Sequence, residues 1–403
     1  MTNEMTARER YVKTLTFGHP DRIFYSLGAP RKSTINAWYL QGLPQMSEIG
    51  DYEFPEELYG FLGMGRLLEL PIEMSAWPPF ERRVIEENEK GRVWLDETGV
   101  VIHDAGDLLT TPGFRTRTFL SHPVKTREDW IRLRDEHFDP HAPGRYPDNW
   151  SRRVERLRDR ELPLQVIVPG LYWRAREWVG FENLSLMLYD DPMLVHEMME
   201  HVTESSITIL DRALRDVEVD SVFIPEDMAF KQHAMISPKM FKEFMLPRYQ
   251  RWARFFRDRG VPVIIVDCDG YIGELIPLWI EAGMNATYPI EIAAGNEPLE
   301  IRKEYGKSLA LIGAIDKREI RSKERTYQEV MKKVPQLMEQ GGYLPQVDHV
   351  VPPDVPLRSY LYMCELIKAL AEGRPVPGPR DPLEIELKLG PVDRMWSPEQ
   401  SLQ

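Results

Sequence analysis

The chain has 403 residues and a formal net charge of −13 at pH 7. This acidic balance argues against nucleic acid and anionic membranes as the main partners, because both require a basic face. No apolar run approaches the roughly 18 residues that span a bilayer, and the first residues lack the basic and apolar regions of a signal peptide. We therefore expect a cytoplasmic protein. Its two cysteines, Cys268 and Cys364, lie far apart and indicate neither a disulfide framework nor a structural zinc site.

The first part of the chain predicts one helix, one strand and a hairpin. Thr6 and Glu9 form a capping-box pattern before a helix at about residues 7–17, and a strand is predicted at residues 22–27. Residues 91–103 contain two strand-like runs around a glycine-containing turn. This pattern predicts a β-hairpin inserted into the helical layer.

Farther along the chain, short apolar runs end repeatedly in polar residues. Helical apolar spacing separates most of these runs, which span residues 164–168, 221–224, 263–266, 286–290, 309–315 and 343–347. Strands that alternate with helices predict an α/β fold with a parallel sheet. Because polar groups follow the strands, the pattern fits a single distorted (β/α)8 barrel of the TIM type, whose active site lies at the C-terminal strand ends. We assign residues 1–370 to the barrel and residues 371–403 to a polar tail rich in Pro and Gly.

Acidic residues directly after these strands are the first candidates for chemistry. Glu226 and Asp227 follow one strand, Asp267 and Asp269 follow another, and Glu291 follows a third. A carboxylate at such a position is costly to bury unless it is paired, hydrogen-bonded or bound to a metal. These residues are therefore candidates for acid–base or metal chemistry.

Each candidate also has a structural interpretation. An Asp before Gly is often only a turn or cap residue, and Asp316 is expected to cap the next helix. The acidic groups could instead form salt bridges, with Lys231, Arg248 and Lys317 as the candidate partners.

A histidine and several aromatic residues complete the candidate site. His349 follows Asp348 at a strand end and precedes a rigid, proline-rich segment. Trp38 and Tyr172 also come shortly after predicted strands, where aromatic rings could form the walls of a substrate pocket. We expect all of these residues to converge in one cleft.

Motifs along nearly the whole chain resemble the uroporphyrinogen decarboxylase superfamily. They are Arg-Glu-Arg at 8–10, His-Pro-Asp-Arg at 19–22, Gly-Phe-Glu-Asn-Leu at 180–184, Tyr-Asp-Asp-Pro at 189–192, Ile-Ser-Pro at 236–238, the segment 270–277, Gly-Ala-Ile-Asp-Lys at 313–317, Gly-Gly-Tyr at 341–343 and the segment 348–356. The resemblance implies a barrel enzyme that acts on a small molecule, and it implies a homodimer.

The decarboxylases of this superfamily carry an arginine-rich stretch after the first strand, which pairs with the many carboxylates of the tetrapyrrole. In this chain, Arg31 and Lys32 supply the only cations of that region. A polycarboxylate needs several bidentate partners, so the match is poor.

The other branch consists of corrinoid-linked methyltransferases, in which a His-x-Cys pair and a later Cys hold zinc. At the matching positions this chain has Asp267-Cys268-Asp269 and Asp348-His349. Oxygen and nitrogen ligands form a harder site than thiolates do, which argues against activation of a thiol. The resemblance implies that zinc or another divalent ion is bound by Glu226, Asp269, Glu291 and His349, or that these groups work without a metal.

Three functions remain open. The first is a metal-assisted methyltransferase that moves a methyl group from a small methylated or methoxylated compound to a corrinoid protein. The second is a decarboxylase of uroporphyrinogen or a related carboxylic acid, in which an Asp stabilises the developing charge. The third is a binding barrel without turnover. The predicted catalytic residues are Asp227, Asp267 and His349, and the predicted substrate-binding residues are Arg31, Trp38 and Tyr172.

Overall fold

The computed structural model describes residues 4–28, 31–47, 54–89, 91–105 and 117–390. Its helices are α1 (Ala7–Leu15), α2 (Lys32–Tyr39), α3 (Glu56–Leu62), α4 (Arg127–His137), α5 (Trp150–Arg158), α6 (Leu171–Val179), α7 (Phe181–Asp190), α8 (Pro192–Asp216), α9 (Pro238–Met240), α10 (Leu246–Asp258), α11 (Ile276–Ala282), α12 (Pro298–Tyr305), α13 (Lys323–Gln340) and α14 (Leu357–Ala371). Its strands are β1 (Leu68–Glu69), β2 (Arg83–Asn88), β3 (Gly91–Leu95), β4 (Val101–Ala105), β5 (Arg117–Ser121), β6 (Leu164–Ile167), β7 (Ser221–Pro225), β8 (Val263–Asp267), β9 (Ala286–Tyr288), β10 (Ala310–Ile315) and β11 (Tyr343–Val347). None of the helices in these ranges is both long enough and apolar enough to cross a membrane.

The described residues form two compact units. The terminal unit contains the described residues of 4–66 together with 286–390, and the central unit contains the described residues of 67–105 together with 117–285. Each unit has its own parallel strands and its own set of polar strand ends.

The central unit contains four parallel strands in the order β1-β6-β7-β8. In the ladder between β7 and β8, Pro225 lies opposite Asp267, so the two strands end at the same level. Helix α8 begins where the side chain of Asp191 accepts a hydrogen bond from the backbone of Leu194 and Pro192 occupies the first turn. These strands and helices position the polar residues that follow β6, β7 and β8.

A second sheet of the central unit is antiparallel and has the order β2-β3-β4-β5. Its β3 and β4 pair from Gly91 opposite Ala105 to Leu95 opposite Val101, which includes the two runs of the predicted hairpin. Trp94, Val100 and Ile102 form a small buried cluster in this sheet.

The terminal unit contains three parallel strands in the order β9-β10-β11. Every residue of β10 is buried, as expected for a strand covered on both faces. Gly313 in β10 has φ +103°, and a Cβ atom there would lie 1.9 Å from the Pro289 carbonyl oxygen. The close approach of β9 and β10 at this point therefore requires glycine.

Two features of the terminal unit test the N-terminal predictions. The capping box of α1 is confirmed, because the Glu9 backbone N–H donates to Thr6 Oγ1 and the Thr6 N–H donates to Glu9 Oε2. The strand predicted at residues 22–27 is wrong, because only Ser26 forms a bridge there, with Gly65. The Gly65 N–H donates to the Tyr25 carbonyl oxygen, and the pairing does not continue into a ladder.

The six strands predicted after residue 160 are all present, as β6 to β11, and they confirm the α/β class. A complete eight-stranded barrel stays a prediction. The described part of the tail packs on the terminal unit, where the Gly390 N–H donates to the Gly42 carbonyl oxygen at 2.8 Å and Lys323 pairs with Glu386 at 2.9 Å.

Candidate functional site

The ends of β7 and β8 bring four of the predicted acidic residues together. The Glu226 N–H donates to the Asp267 carbonyl oxygen at 2.9 Å, and the Asp269 N–H donates to Asp227 Oδ1 at 3.3 Å. This contact arises because neighbouring parallel strands end at the same edge. We call Glu226, Asp227, Asp267 and Asp269 the central acidic cluster.

Glu226 fixes the start of helix α6. Its carboxylate is fully buried and accepts hydrogen bonds from the backbone N–H groups of Leu171 at 2.7 Å and Trp173 at 2.9 Å. Gly170 permits this approach, because a Cβ atom there would lie 2.3 Å from Glu226 Cδ. Burial raises the pKa of Glu226 to about 8, although the N–H donors act in the opposite direction. Both of its oxygens already have partners.

Asp227 adopts a conformation that is rare for a residue with a side chain. Its φ is +39°, in the left-handed region that asparagine and aspartate tolerate better than most residues. Its carbonyl oxygen accepts a hydrogen bond from Arg176 Nη1 at 2.7 Å. A strained backbone that the surrounding structure holds in place is common at functional sites.

Asp267 is a partly exposed residue at the end of β8. Burial of its carboxyl group, and then the charges of Asp227 and Asp269, raise its pKa well above the usual range. A carboxyl group in this setting holds its proton at a pH where ordinary aspartates have lost it. Asp267 can therefore donate a proton to a bound ligand.

Cys268 lies between the two aspartates but points into the protein. Its sulfur accepts a hydrogen bond from the Met228 N–H at 3.3 Å, and the residue is buried. Burial raises the pKa of the Cys268 thiol well above its usual value. A neutral, buried thiol is a poor metal ligand and a poor nucleophile.

The structure adds Arg176, which the sequence analysis did not single out. Its guanidinium lies 4.9 Å from the centre of the Trp173 ring and 5.9 Å from that of Tyr172. Arg174 and Arg176 interrupt an otherwise largely apolar helix that begins just after β6. These two basic residues in an apolar helix were the only sequence feature that could have pointed to Arg176.

The two predicted aromatic walls are packing residues in the structure. Tyr172 is fully buried, burial raises its pKa to about 12, and its hydroxyl has no hydrogen-bond partner among the described residues. Trp38 is also fully buried, and its Nε1–H donates to the Val355 carbonyl oxygen at 2.8 Å. Direct contact of either ring with a ligand would require a rearrangement. Trp173, the residue after Tyr172, is partly exposed, so its ring can contact a ligand without such a rearrangement.

The terminal unit has its own polar strand ends. Asp348, after β11, is fully buried and accepts hydrogen bonds from the N–H groups of Ile292 at 2.9 Å and Lys317 at 3.0 Å. Burial raises the pKa of Asp348. Lys317 Nζ lies 3.4 Å from Glu291 and 3.6 Å from Asp348, so the salt bridge considered for Glu291 is present. His349, the next residue, is partly exposed.

Two other residues of this unit that the sequence analysis named lie just before helices. Asp316 accepts a hydrogen bond from the Arg318 N–H at 2.9 Å, which matches its interpretation as a cap. Arg31 immediately precedes helix α2, and its backbone N–H donates to the Val351 carbonyl oxygen at 3.3 Å. Substrate binding by the Arg31 side chain stays a prediction. Ile290 and Ala314 have φ values of +56° and +68°, so backbone strain also occurs at this edge.

The predicted metal ligands do not fit a metal ion as they stand. The oxygens of Glu226 accept two backbone hydrogen bonds, and Glu291 pairs with Lys317. Within the part of the chain that the structure describes, no three His, Cys, Asp or Glu side chains are arranged to share a metal. The convergence of Glu291 and His349 with the central acidic cluster stays a prediction.

Comparisons with known proteins identify the chain's relatives. It is 24% identical over 194 residues to a uroporphyrinogen decarboxylase from a Nitratiruptor species, an alignment that covers 47% of this chain and 53% of the relative. The match thus spans about half the length of that protein.

Two solved structures were superposed on the chain. A methyltransferase from Methanosarcina mazei superposes with a TM-score of 0.55 at 14% identity, over 92% of this chain and 99% of that one. A B12-independent methionine synthase from a Shewanella species gives a TM-score of 0.39 at 11% identity, over 86% of this chain and 95% of that one. The first likeness supports the same fold.

A family profile provides the assignment. Residues 121–370, which contain β6 to β11 and both sets of polar strand ends, match the family described as uroporphyrinogen decarboxylase (URO-D). The chain belongs to the uroporphyrinogen decarboxylase family.

Proposed function

We propose that the protein is a methyltransferase that takes a methyl group from the oxygen of a small methoxylated compound and passes it to a corrinoid protein. The observation that carries this proposal is the composition of the central acidic cluster. Its four acidic residues follow two neighbouring strands, and the guanidinium of Arg176 donates to the backbone carbonyl oxygen of Asp227 at the same edge. A polycarboxylate such as uroporphyrinogen would meet repulsion from the charges of Asp227 and Asp269 at this edge, whereas a compound with little charge would not.

The likeness to the Methanosarcina mazei protein supports the fold that such a reaction would use. The corrinoid of the partner protein would supply the nucleophile that accepts the methyl group. The residues of this chain have to bind the methyl donor and stabilise the oxygen that the methyl group leaves.

Asp267 has the properties required at that oxygen. When the methyl–oxygen bond breaks, the electron pair stays on the oxygen, which must gain a proton to leave as a hydroxyl group. A protonated Asp267 supplies this proton and is reprotonated from solvent, so the donor ends as an alcohol or phenol. Burial, and then the charges of Asp227 and Asp269, keep the proton on Asp267, because a third ionised carboxylate at this buried edge is unfavourable.

The decisive experiment measures methylation of added cob(I)alamin or a corrinoid protein with a panel of methyl ethers. We expect Asp267→Asn to lower turnover about 100-fold, the usual size of a general-acid contribution. Asp267 donates its proton only while it is protonated, so turnover of the wild type should fall as the pH rises through the raised pKa of Asp267. This decline should be absent in Asp267→Asn. Asp258→Asn is the matched control, because Asp258 is exposed at the end of α10. Equal turnover in the wild type and Asp267→Asn would remove Asp267 from the mechanism.

Decarboxylation is the second candidate, because the curated relative is a uroporphyrinogen decarboxylase. Here Asp227 or Asp267 would stabilise the charge that develops on the protonated ring. Incubation with uroporphyrinogen under anaerobic conditions separates the two reactions. Release of CO₂ at an enzyme-like rate, on the order of 1 per second, would favour decarboxylation. Stoichiometric zinc in the purified protein would in turn restore the predicted metal-assisted route.

A further inference from the structure

Arg176 donates a hydrogen bond to the backbone of the central acidic cluster, yet it forms no ion pair within the described residues. Its hydrogen bonds to the described part of the chain use Nη1, which donates to the Asp227 carbonyl oxygen at 2.7 Å and lies 3.7 Å from Met235 Sδ. Arg174, two residues earlier, is instead buried and pairs with Glu177. The two arginines of α6 therefore have different roles.

The guanidinium of Arg176 is held in a fixed position. The hydrogen bond to Asp227 anchors Nη1, and the guanidinium carbon lies 4.9 Å from the centre of the Trp173 ring. Because Arg176 is partly exposed and its hydrogen bonds within the described residues use Nη1, the opposite edge, formed by Nε and Nη2, can meet a ligand. Such an edge offers two parallel N–H donors, the geometry that matches a carboxylate.

We propose that Arg176 binds a carboxylate of the methyl donor, so that the substrate is a methoxylated carboxylic acid. This inference rests on the proposed function and adds the chemical class of the substrate. Arg176 donates to the Asp227 carbonyl oxygen, and the Asp269 N–H donates to the Asp227 side chain, so Arg176 lies beside the acidic cluster. In this proposal the carboxylate of the donor binds at Arg176 and its methoxy oxygen faces Asp267.

The surroundings of Arg176 favour a single carboxylate over a more highly charged group. Asp227 and Asp269 are close by, and their charges would oppose a phosphate or a second carboxylate. One arginine and one carboxylate neutralise each other, and both can make two parallel hydrogen bonds. The site thus distinguishes a monoanion from a neutral analogue by charge and from a polyanion by repulsion.

The test compares 4-methoxybenzoate with 4-methoxybenzamide, which have nearly the same size and shape but differ in charge. Titration calorimetry on the full-length protein should give at least about 10-fold tighter binding of the acid, because charge-assisted hydrogen bonds are the strong ones. Arg176→Gln should abolish this preference, and Arg176→Lys should retain part of it. Arg212→Gln, which removes an exposed arginine of α8, is the matched control and should leave the preference unchanged.

The wild-type comparison needs no variant, so it remains decisive even where Arg176→Gln does not fold. Equal binding of the acid and the amide, or no binding of the acid at millimolar concentration, would overturn the inference. The methylation assay separates the two proposals. Methyl transfer from the amide alone would overturn the carboxylate inference and support the methyltransferase. Arg176-dependent binding of the acid without any methyl transfer would support the anchoring role and count against the proposed function.

Discussion

The buried carboxyl group of Glu226 should make the stability of the protein depend on pH. In the unfolded chain this group loses its proton near pH 4.5, whereas in the folded protein burial raises its pKa to about 8. Between these values folding takes up a proton, so the free energy of unfolding falls as the pH rises and stops falling above about pH 8. At 1.36 kcal/mol per pH unit, Glu226 alone lowers the stability by about 3 kcal/mol between pH 6 and pH 9.

Glu226→Gln removes this titration and keeps the shape of the side chain. The amide leaves one oxygen to accept from Leu171 or Trp173, so at pH 6 we expect the variant to be about 1–3 kcal/mol less stable than the wild type. At pH 9 this difference should have shifted by about 3 kcal/mol in favour of the variant, because only the wild type loses stability through Glu226.

Urea unfolding at pH 6, 7, 8 and 9 measures the effect. The tryptophan fluorescence of each protein reports the transition, and Glu182→Gln is the control because Glu182 is exposed on α7. The difference in unfolding free energy between Glu226→Gln and Glu182→Gln at each pH removes the contribution of other titrating groups. If the wild type and Glu226→Gln lose stability in parallel across this range, then Glu226 is ionised at neutral pH in the folded protein and the reasoning fails.

Three further predictions concern strand ends of the central and the terminal unit. Gly170→Ala should lower the free energy of unfolding by about 1–3 kcal/mol in urea, because the new Cβ atom would overlap Glu226 and the Pro225 carbonyl. Gly60 has open space around it, so Gly60→Ala is the control and should not destabilise the protein. Asp348→Ala should lower the free energy of unfolding by about 2–5 kcal/mol, because the N–H groups of Ile292 and Lys317 lose their acceptor. An unchanged urea midpoint would contradict the structural role of Asp348. His349→Ala should lower methyl transfer about 100-fold with little change in stability, and full activity would exclude His349 from the site.

The sequence alone determined the strands after residue 160 and the type of residue at their ends. Alternation of apolar runs with helical spacing predicted β6 to β11, because period and length of apolar segments are local properties. The capping box of α1 was likewise readable from two residues three positions apart. Acidic residues after β7 and β8 indicated a polar strand edge before any contact between them was known.

Only the tertiary structure decided what those residues do. Glu226 accepts hydrogen bonds from Leu171, 55 positions away, and Arg176 contacts Asp227, 51 positions away. The order of the strands in the sheet brings these residues together, and their separation along the sequence does not reveal that they are neighbours. Burial decided the role of the aromatic residues. Trp38 and Tyr172 follow predicted strands, where residues that line a pocket are expected, yet both are fully buried. An aromatic ring serves equally well in a core or a cleft, and the distinction depends on what packs against it.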